Sequence, residues 1–388
     1  MSFDGLWSAL APIGAASSGG YRRYAWTPVD SVLREWFAAE AAARGLDLAQ
    51  DRAGNQWAWW GTPSAARPGV VVGSHLDSVP DGGAYDGPLG VVSAFCALDL
   101  LRERGVRPSR PIGVVCFGDE EGARFGVACA GSKLLTGALP ADRGLGLTDG
   151  DGITMAAAMR SAGFAPESAG RDDETLARVG AFVELHVEQG RGLVELGRPV
   201  AVGSSIWPHG RWRLDLLGEA NHAGTTRLAD RRDPMLDLAA AITAARTAAG
   251  SRGGVATVGK VTVEPNGVNA IPSRVTAWLD ARGPAAGAVA ADVGAAAGVV
   301  PVQESFTPDT SFDPGLVRRL SGLLGDAPVL GTGAGHDAGI LAGAGIPAAM
   351  LFVRNPTGVS HSPAEHAERD DCLAGIDALA LVLQDLAS

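Results

Sequence analysis

Read by polarity alone, the chain is a succession of short apolar runs, several of them closed by a burst of polar residues. Val70-Val71-Val72 opens into Gly73-Ser-His-Leu-Asp-Ser-Val-Pro-Asp-Gly-Gly-Ala-Tyr-Asp-Gly87, and Pro88 then begins an apolar stretch of helical length. Unbroken apolar runs of this kind suit strands buried on both faces of a parallel sheet, each followed by a packed helix. The pattern predicts a strand over 69–74 and a helix over 88–104. A second strand, 111–117, ends in Gly118-Asp-Glu-Glu-Gly-Ala-Arg-Phe125. Residues 181–190 alternate apolar and polar and read as a third strand with His186 and Gln189 at its end. A fourth, 348–353, stops before Pro356-Thr-Gly-Val-Ser-His361. Upstream, Thr27 caps a helix that has Pro28 at its first position and Asp30 in its first turn, and Gly45 stops it. An antiparallel pair follows over 47–60, with Trp57, Trp59 and Trp60 as an aromatic core edge. Helices near 129–136, 151–160, 312–324, 336–341 and 372–386, and a short strand from Val329, complete this part.

From about 197 the rhythm changes. An alternating strand over 211–217 leads to a helix over 233–248, strands over 254–263 and 274–280, an alanine-rich helix over 285–298 and a last strand near 299–303. That β-α-β-β-α-β order is the signature of a ferredoxin-like split unit. The expected fold class is therefore α/β: a mixed, mostly parallel sheet flanked by helices, formed by 1–196 with 307–388, and interrupted by a ferredoxin-like α+β domain over 197–306. The competing reading is one continued sheet. A length of 388 residues suits two domains.

Charge narrows the partners. Forty-three acidic against 32 basic residues leave a formal charge of -11, which disfavours a broad phosphate-binding face and so a nucleic-acid partner. No apolar window is long enough to span a membrane, and the start lacks a basic segment followed by an apolar one, so no membrane partner and a cytoplasmic location are expected. Cys96, Cys116, Cys129 and Cys372 show no CxxC spacing, and three of them lie in apolar surroundings and read as small buried hydrophobes, as a reducing compartment allows.

The polar bursts hold the chemistry. His75, Asp77 and Asp86 share one loop at the carboxyl end of a strand, where open α/β sheets place their sites. Imidazole with carboxylate suits zinc, manganese, cobalt or nickel better than calcium, although an ordinary polar loop would look similar. In Asp119-Glu120-Glu121, two adjacent carboxylates point to different sides, so one can hold a metal while the other faces the water it activates. A lone histidine such as His186 is more often structural, whereas His361 lies in a turn typical of ligands. His75, Asp86, Glu121, His186 and His361 together offer enough nitrogen and oxygen for two divalent ions sharing one carboxylate.

The ordered motifs carry a resemblance. Gly73-Ser-His-Leu-Asp-Ser78 with Gly82-Gly-Ala-Tyr-Asp-Gly87, Glu120-Glu-Gly-Ala-Arg-Phe125, Glu184-Leu-His-Val-Glu-Gln-Gly190, Asn221-His-Ala-Gly-Thr-Thr226, Asn269-Ala-Ile-Pro272 with Asp280-Ala-Arg282, and Gly358-Val-Ser-His-Ser-Pro363 resemble the M20 metallopeptidase superfamily. Within it they are similar to the amidase branch of N-carbamoyl-L-amino acid hydrolases, allantoate amidohydrolases and ureidopropionase-like enzymes. The resemblance implies that His75 and His186 hold one metal and Glu121 and His361 the other, with Asp86 bridging and Asp77 fixing the tautomer of His75. It implies Glu120 as general base and acid, and His222 as donor to the developing oxyanion. Arg282 would grip the substrate carboxylate, with Asn269 and Gln189 as amide partners and the N–H groups of Thr357 and Gly358 nearby. His336 and Asp337 would support the site or start a helix; His209 and His366 are assigned nothing. Thr226-Arg227-Leu228 departs from the family's usual sequence beside His222.

The implied protein is a hydrolase that uses two divalent ions per subunit (Mn2+, Zn2+, Co2+ or Ni2+) and no organic cofactor. Its partner would be a small anionic carbamoyl or ureido substrate, and its habit a homodimer through the inserted domain. N-carbamoyl-L-amino acids lead as substrate. Allantoate, 3-ureidopropionate, a dipeptide or N-acyl amino acid, and a catalytically silent binding role are the alternatives.

Overall fold

The computed structural model describes residues 2–388, which divide into two compact units: residues up to Ser205 together with Ser311–Ser388, and Ile206–Thr310. The first is built on a sheet whose neighbouring strands run Asp47–Gln50, Gln56–Trp60, Ile112–Phe117, Gly69–His75, Val179–Val187, Ala348–Val353 and Val200–Ile206. The four from Ile112–Phe117 to Ala348–Val353 are mutually parallel; the members outside them pair antiparallel. The wholly apolar runs occupy the middle, and all seven residues of Gly69–His75 are buried. Thr27 caps the helix Pro28–Ala43 as the sequence predicts, and Pro88–Glu103 and Arg369–Leu386 pack together over the sheet. Among the described residues no helix is long and apolar enough to cross a membrane, and all four cysteines are free and buried.

Register places the site. His75 pairs with Phe117, and Phe352 with His186. The four parallel strands therefore end at one level, and the loops that follow them open on the same edge. Two glycines permit this packing. Gly73 has φ of +145°, and a Cβ there would overlap the carbonyl oxygen of Val115 on the adjacent strand. Gly87, with φ of +85°, lies flat against the ring of His75, where a Cβ would stand 2.5 Å from Nδ1.

The second unit is a four-stranded antiparallel sheet ordered Val302–Thr307, His209–Leu217, Arg274–Arg282, Val255–Glu264. Helices Pro234–Ser251 and Ala286–Ala297 connect the strands, giving the ferredoxin-like order. Trp212, Leu214, Leu216, Val275, Ala277 and Leu279 alternate toward Leu238, Ala241, Ala245, Val289 and Val293 of the helices. This apolar face accounts for the period-two pattern in the sequence.

Three details differ from the sequence expectation. Val200–Ile206 is a strand of the first sheet, so the second unit begins at Ile206 and not at 197. The last strand of that unit is Val302–Thr307 and not 299–303, because Gly298 ends the preceding helix in the left-handed region and Val299 still donates back to Gly294. Asn221–His222 pairs with Ala270–Ile271 as a separate two-stranded ribbon. The tight contact at Gly73 predicts that Gly73→Ala destabilises by at least about 3 kcal/mol, since the backbone must move. Urea unfolding measures this, and a variant as stable as the parent would contradict the reading.

Candidate metal centre

His75 ends its strand wholly buried. Its Nδ1 lies 3.1 Å from the backbone oxygen of Asp77 and 3.4 Å from Asp77 Oδ1. In the neutral ring the proton therefore sits on Nδ1, and the Nε2 lone pair turns inward. His186 is set the same way, with Nδ1 2.9 Å from the carbonyl of Val187. Both Nε2 atoms then face Asp86 Oδ1, at 3.5 Å from His75 and 3.1 Å from His186. Neither Nε2 has a hydrogen-bond partner. Two lone pairs aimed at a buried carboxylate repel it unless a cation, whether proton or metal, stands between them.

The second oxygen of Asp86 serves another group. His361 Nε2 lies 3.5 Å from Asp86 Oδ2 and 3.6 Å from Glu121 Oε2, while Glu121 Oε1 is buried without a partner. His75, Asp86 and His186 offer ligand atoms within 4.8 Å of one another, and so do Asp86, Glu121 and His361. The donor set, nitrogen and carboxylate oxygen around orphaned buried atoms, fits borderline divalent ions. Glu184, His186 and His336 also lie close together. The Glu184 oxygens, however, already accept from Ser74 Oγ at 2.7 Å and the Ala338 N–H at 3.0 Å.

Asp77 ties two strand ends together. Its Oδ1 accepts the N–H of Glu120 at 3.1 Å and its Oδ2 that of Glu121 at 3.0 Å, while it also faces the His75 ring. Glu120 is buried with Oε2 3.7 Å from His75 Nε2, and its Oε1 accepts from the Cys129 thiol at 3.3 Å. One face of that carboxylate is thus committed to Cys129, and the other lies beside the ligand groups.

Burial dominates the electrostatics. It pushes Glu120 well above the usual carboxylate range, with Asp337, Glu121 and Asp77 adding to the rise against the opposing influence of His75. Burial, then the charge of Asp86, takes Glu121 up to about 8. For His186 burial works against the charged form, but Asp86 prevails and raises it to about 9. Burial opposes the charge of Asp86 as well, yet His186 and His75 hold it well below the ordinary value. The surroundings demand positive charge at this spot.

Some predicted residues behave differently from expectation. Gln189 donates through Nε2 to Asp86 Oδ2 at 2.9 Å and to Ser360 Oγ at 3.1 Å, and its Oε1 is buried without a partner. The N–H groups of Thr357 and Gly358, expected beside a substrate carboxylate, are instead donated to Asn355 Oδ1 at 3.0 and 2.9 Å. His336 precedes the helix Asp337–Gly343 and packs on His186 with ring centroids 4.5 Å apart. His222, Asn269 and Arg282 belong to the other unit. There His222 Nδ1 accepts the N–H of Gly224 at 3.0 Å, the backbone carbonyl of Asn269 accepts the N–H of Ala223 at 2.9 Å, and Arg282 Nε donates to Asp280 Oδ1 at 2.8 Å. Sequence reasoning passed over Cys129, Ser360 and Glu365. A cysteine among small residues carries no signal for such a contact, while Glu365 follows the His361 turn closely enough to have been noticed.

Fold and site together define a metal-dependent hydrolase. Peptidase family M20/M25/M40 matches residues 71–385, and the chain belongs to that family. Among its relatives, the N-carbamoyl-L-amino acid amidohydrolase of Geobacillus stearothermophilus is 36% identical over 96% of each chain. The allantoate amidohydrolase of Escherichia coli is 31% identical over 97% of this chain and 96% of that one. The crystal structure of a hydantoinase/carbamoylase-family amidase from Burkholderia multivorans superposes with a TM-score of 0.86 at 30% identity, covering 100% of this chain and 98% of the other.

The pKa shifts set the sign of metal binding with pH. His186 and Glu121, raised to about 9 and about 8, hold protons that a divalent ion taking these atoms as ligands would displace. Manganese affinity should therefore rise from about pH 6 to about pH 9, with proton release on binding. Calorimetry at pH 7.5 in buffers of different ionisation enthalpy reads both effects; a heat independent of the buffer would contradict the assignment.

Proposed function

We propose that the protein hydrolyses the ureido C–N bond of N-carbamoyl-L-amino acids, using two divalent ions held by His75, His186, Asp86, Glu121 and His361. The observation that carries the reading is the pair of inward Nε2 lone pairs on one shared carboxylate, taken with the 36% identical relative named for this activity. When bound, such ions polarise a carbonyl and lower the pKa of water, which is the chemistry a resonance-stabilised urea needs. Manganese, zinc, cobalt or nickel would suit the donors.

Glu120 takes the proton of the attacking water and later delivers it to the leaving nitrogen. Its burial keeps the protonated form accessible between the two transfers. Water adds to the ureido carbonyl carbon, the bond from that carbon to the amino-acid nitrogen breaks, and the nitrogen leaves as the free amine. The carbamic acid left behind decomposes to carbon dioxide and ammonia, so one water is consumed overall.

The remaining groups act on the substrate. Gln189 Oε1 suits a ureido N–H. His222 accepts an N–H at Nδ1, so its neutral ring carries the proton on Nε2 and can donate it to an oxygen gaining charge. Arg282, with its guanidinium plane steadied by Asp280, would suit the amino-acid carboxylate, and Asn269, next to the ribbon that carries His222, would offer an amide. A homodimer in the cytoplasm is the assembly we propose.

Two measurements test the roles and the substrate. Glu120→Gln should keep its metal and lose about 10^3-fold in kcat, while His222→Ala should lose about 10^2-fold, chiefly in kcat; near-parental turnover in either would remove that residue from the mechanism. Ammonia release by manganese-loaded protein should favour N-carbamoyl-L-amino acids over their D-forms, allantoate, 3-ureidopropionate and an N-acetyl amino acid. Preference for allantoate, the substrate named for the E. coli relative, would replace this reading with that one. Cleavage of the acetyl substrate alone would overturn ureido specificity.

A further inference from the structure

Asp86 is common to both ligand groups, and its main chain is held from the far end of the sequence. Glu365 Oε1 accepts the N–H of Tyr85 at 2.8 Å and that of Asp86 at 2.9 Å. Glu365 Oε2 lies 3.4 Å from Ser360 Oγ, which in turn reaches Asp86 Oδ2 at 3.3 Å. Glu365 is only 5% exposed, and a Cβ at Gly83 would overlap its side chain, so the loop approaches it through a glycine. One carboxyl oxygen accepting two consecutive main-chain N–H groups fixes the peptide plane before Asp86, and with it the direction of the side chain.

We propose that Glu365 is a positioning residue that aims Asp86 so that its two oxygens separate, Oδ1 to His75 and His186, and Oδ2 to Glu121 and His361. The inference rests on the two-ion reading above. It has a signature that loss of a ligand lacks. Removing His361 would weaken one ion, whereas freeing the backbone of Asp86 turns the shared carboxylate away from both groups together.

The test is manganese titration followed by calorimetry and by the electron paramagnetic resonance of bound manganese, on the full chain. Glu365→Met has similar length without an acceptor, and both dissociation constants should rise about 10–100-fold; Glu365→Gln keeps the acceptor oxygen and should stay within about threefold of the parent for both ions. Near-ultraviolet circular dichroism checks that each variant is folded. Should Glu365→Met fail to fold, Glu365→Asp, which keeps the carboxyl group but falls short of the two N–H groups, carries the same expectation. A folded Met or Asp variant with parental affinities, or a loss confined to one ion, overturns the proposal while leaving two ions in place. A parent protein that binds fewer than two ions overturns the two-ion reading and the proposal with it.

Discussion

Everything at the centre depends on one buried carboxylate with too many lone pairs around it. Asp86 Oδ1 faces two imidazole nitrogens whose protons have been drawn to the opposite side of each ring by backbone oxygens. Backbone carbonyls cannot titrate away, so the tautomers are set by the fold and not by pH alone. With both rings neutral, Asp86 Oδ1 faces lone pairs alone, since Gln189 and Ser360 donate to Oδ2. A protein can tolerate such a place only if positive charge is supplied to it.

The fold meets that constraint by geometry of the simplest kind. Parallel strands ending at one level deliver His75, His186 and the Gly118–Glu121 segment to one edge, and the loop after Ala348–Val353 brings His361. Asp77 then links two of those strand ends through the N–H groups of Glu120 and Glu121. The same carboxylate thus orients His75 and the segment bearing Glu120. A change at Asp77 would be felt by both, and their separate contributions would not add.

Much of this was legible in the sequence, for physical reasons. Strands buried on both faces must be apolar throughout, so Val70–Val72 and Ile112–Phe117 declare themselves, and polar residues crowded at their ends stand out against them. The alternating faces of His209–Leu217 and Arg274–Arg282 reveal the second unit in the same way. Val200–Ile206 was missed because Val-Ala-Val-Gly-Ser-Ser-Ile neither alternates cleanly nor stays apolar, and its pairing partner Ala348–Val353 lies far along the chain. Hydrogen-bond partners were harder still. Nothing local to Gln189 indicates that its amide is spent on Asp86, nor does Pro356-Thr-Gly358 reveal that Asn355 takes its N–H groups. The Gln189 contact spans 103 positions, beyond the reach of any short-range pattern, whereas Asn355 caps the N–H groups two and three residues ahead of it, a local Asx-type turn that the sequence reading passed over.

The discontinuity of the first unit has a consequence for biogenesis. Tyr85 and its anchor Glu365 are 280 positions apart, and the whole Ile206–Thr310 unit is synthesised between them. On the ribosome, the Asp86 loop and the carboxylates after Phe117 emerge long before His361 exists. A nascent chain therefore carries the first half of this polar cluster with nothing to close it. The second unit, whose core is its own, can fold during that interval. The two groups that share Asp86 are therefore complete only in the finished polypeptide, and the last stretch of translation is the step that closes them.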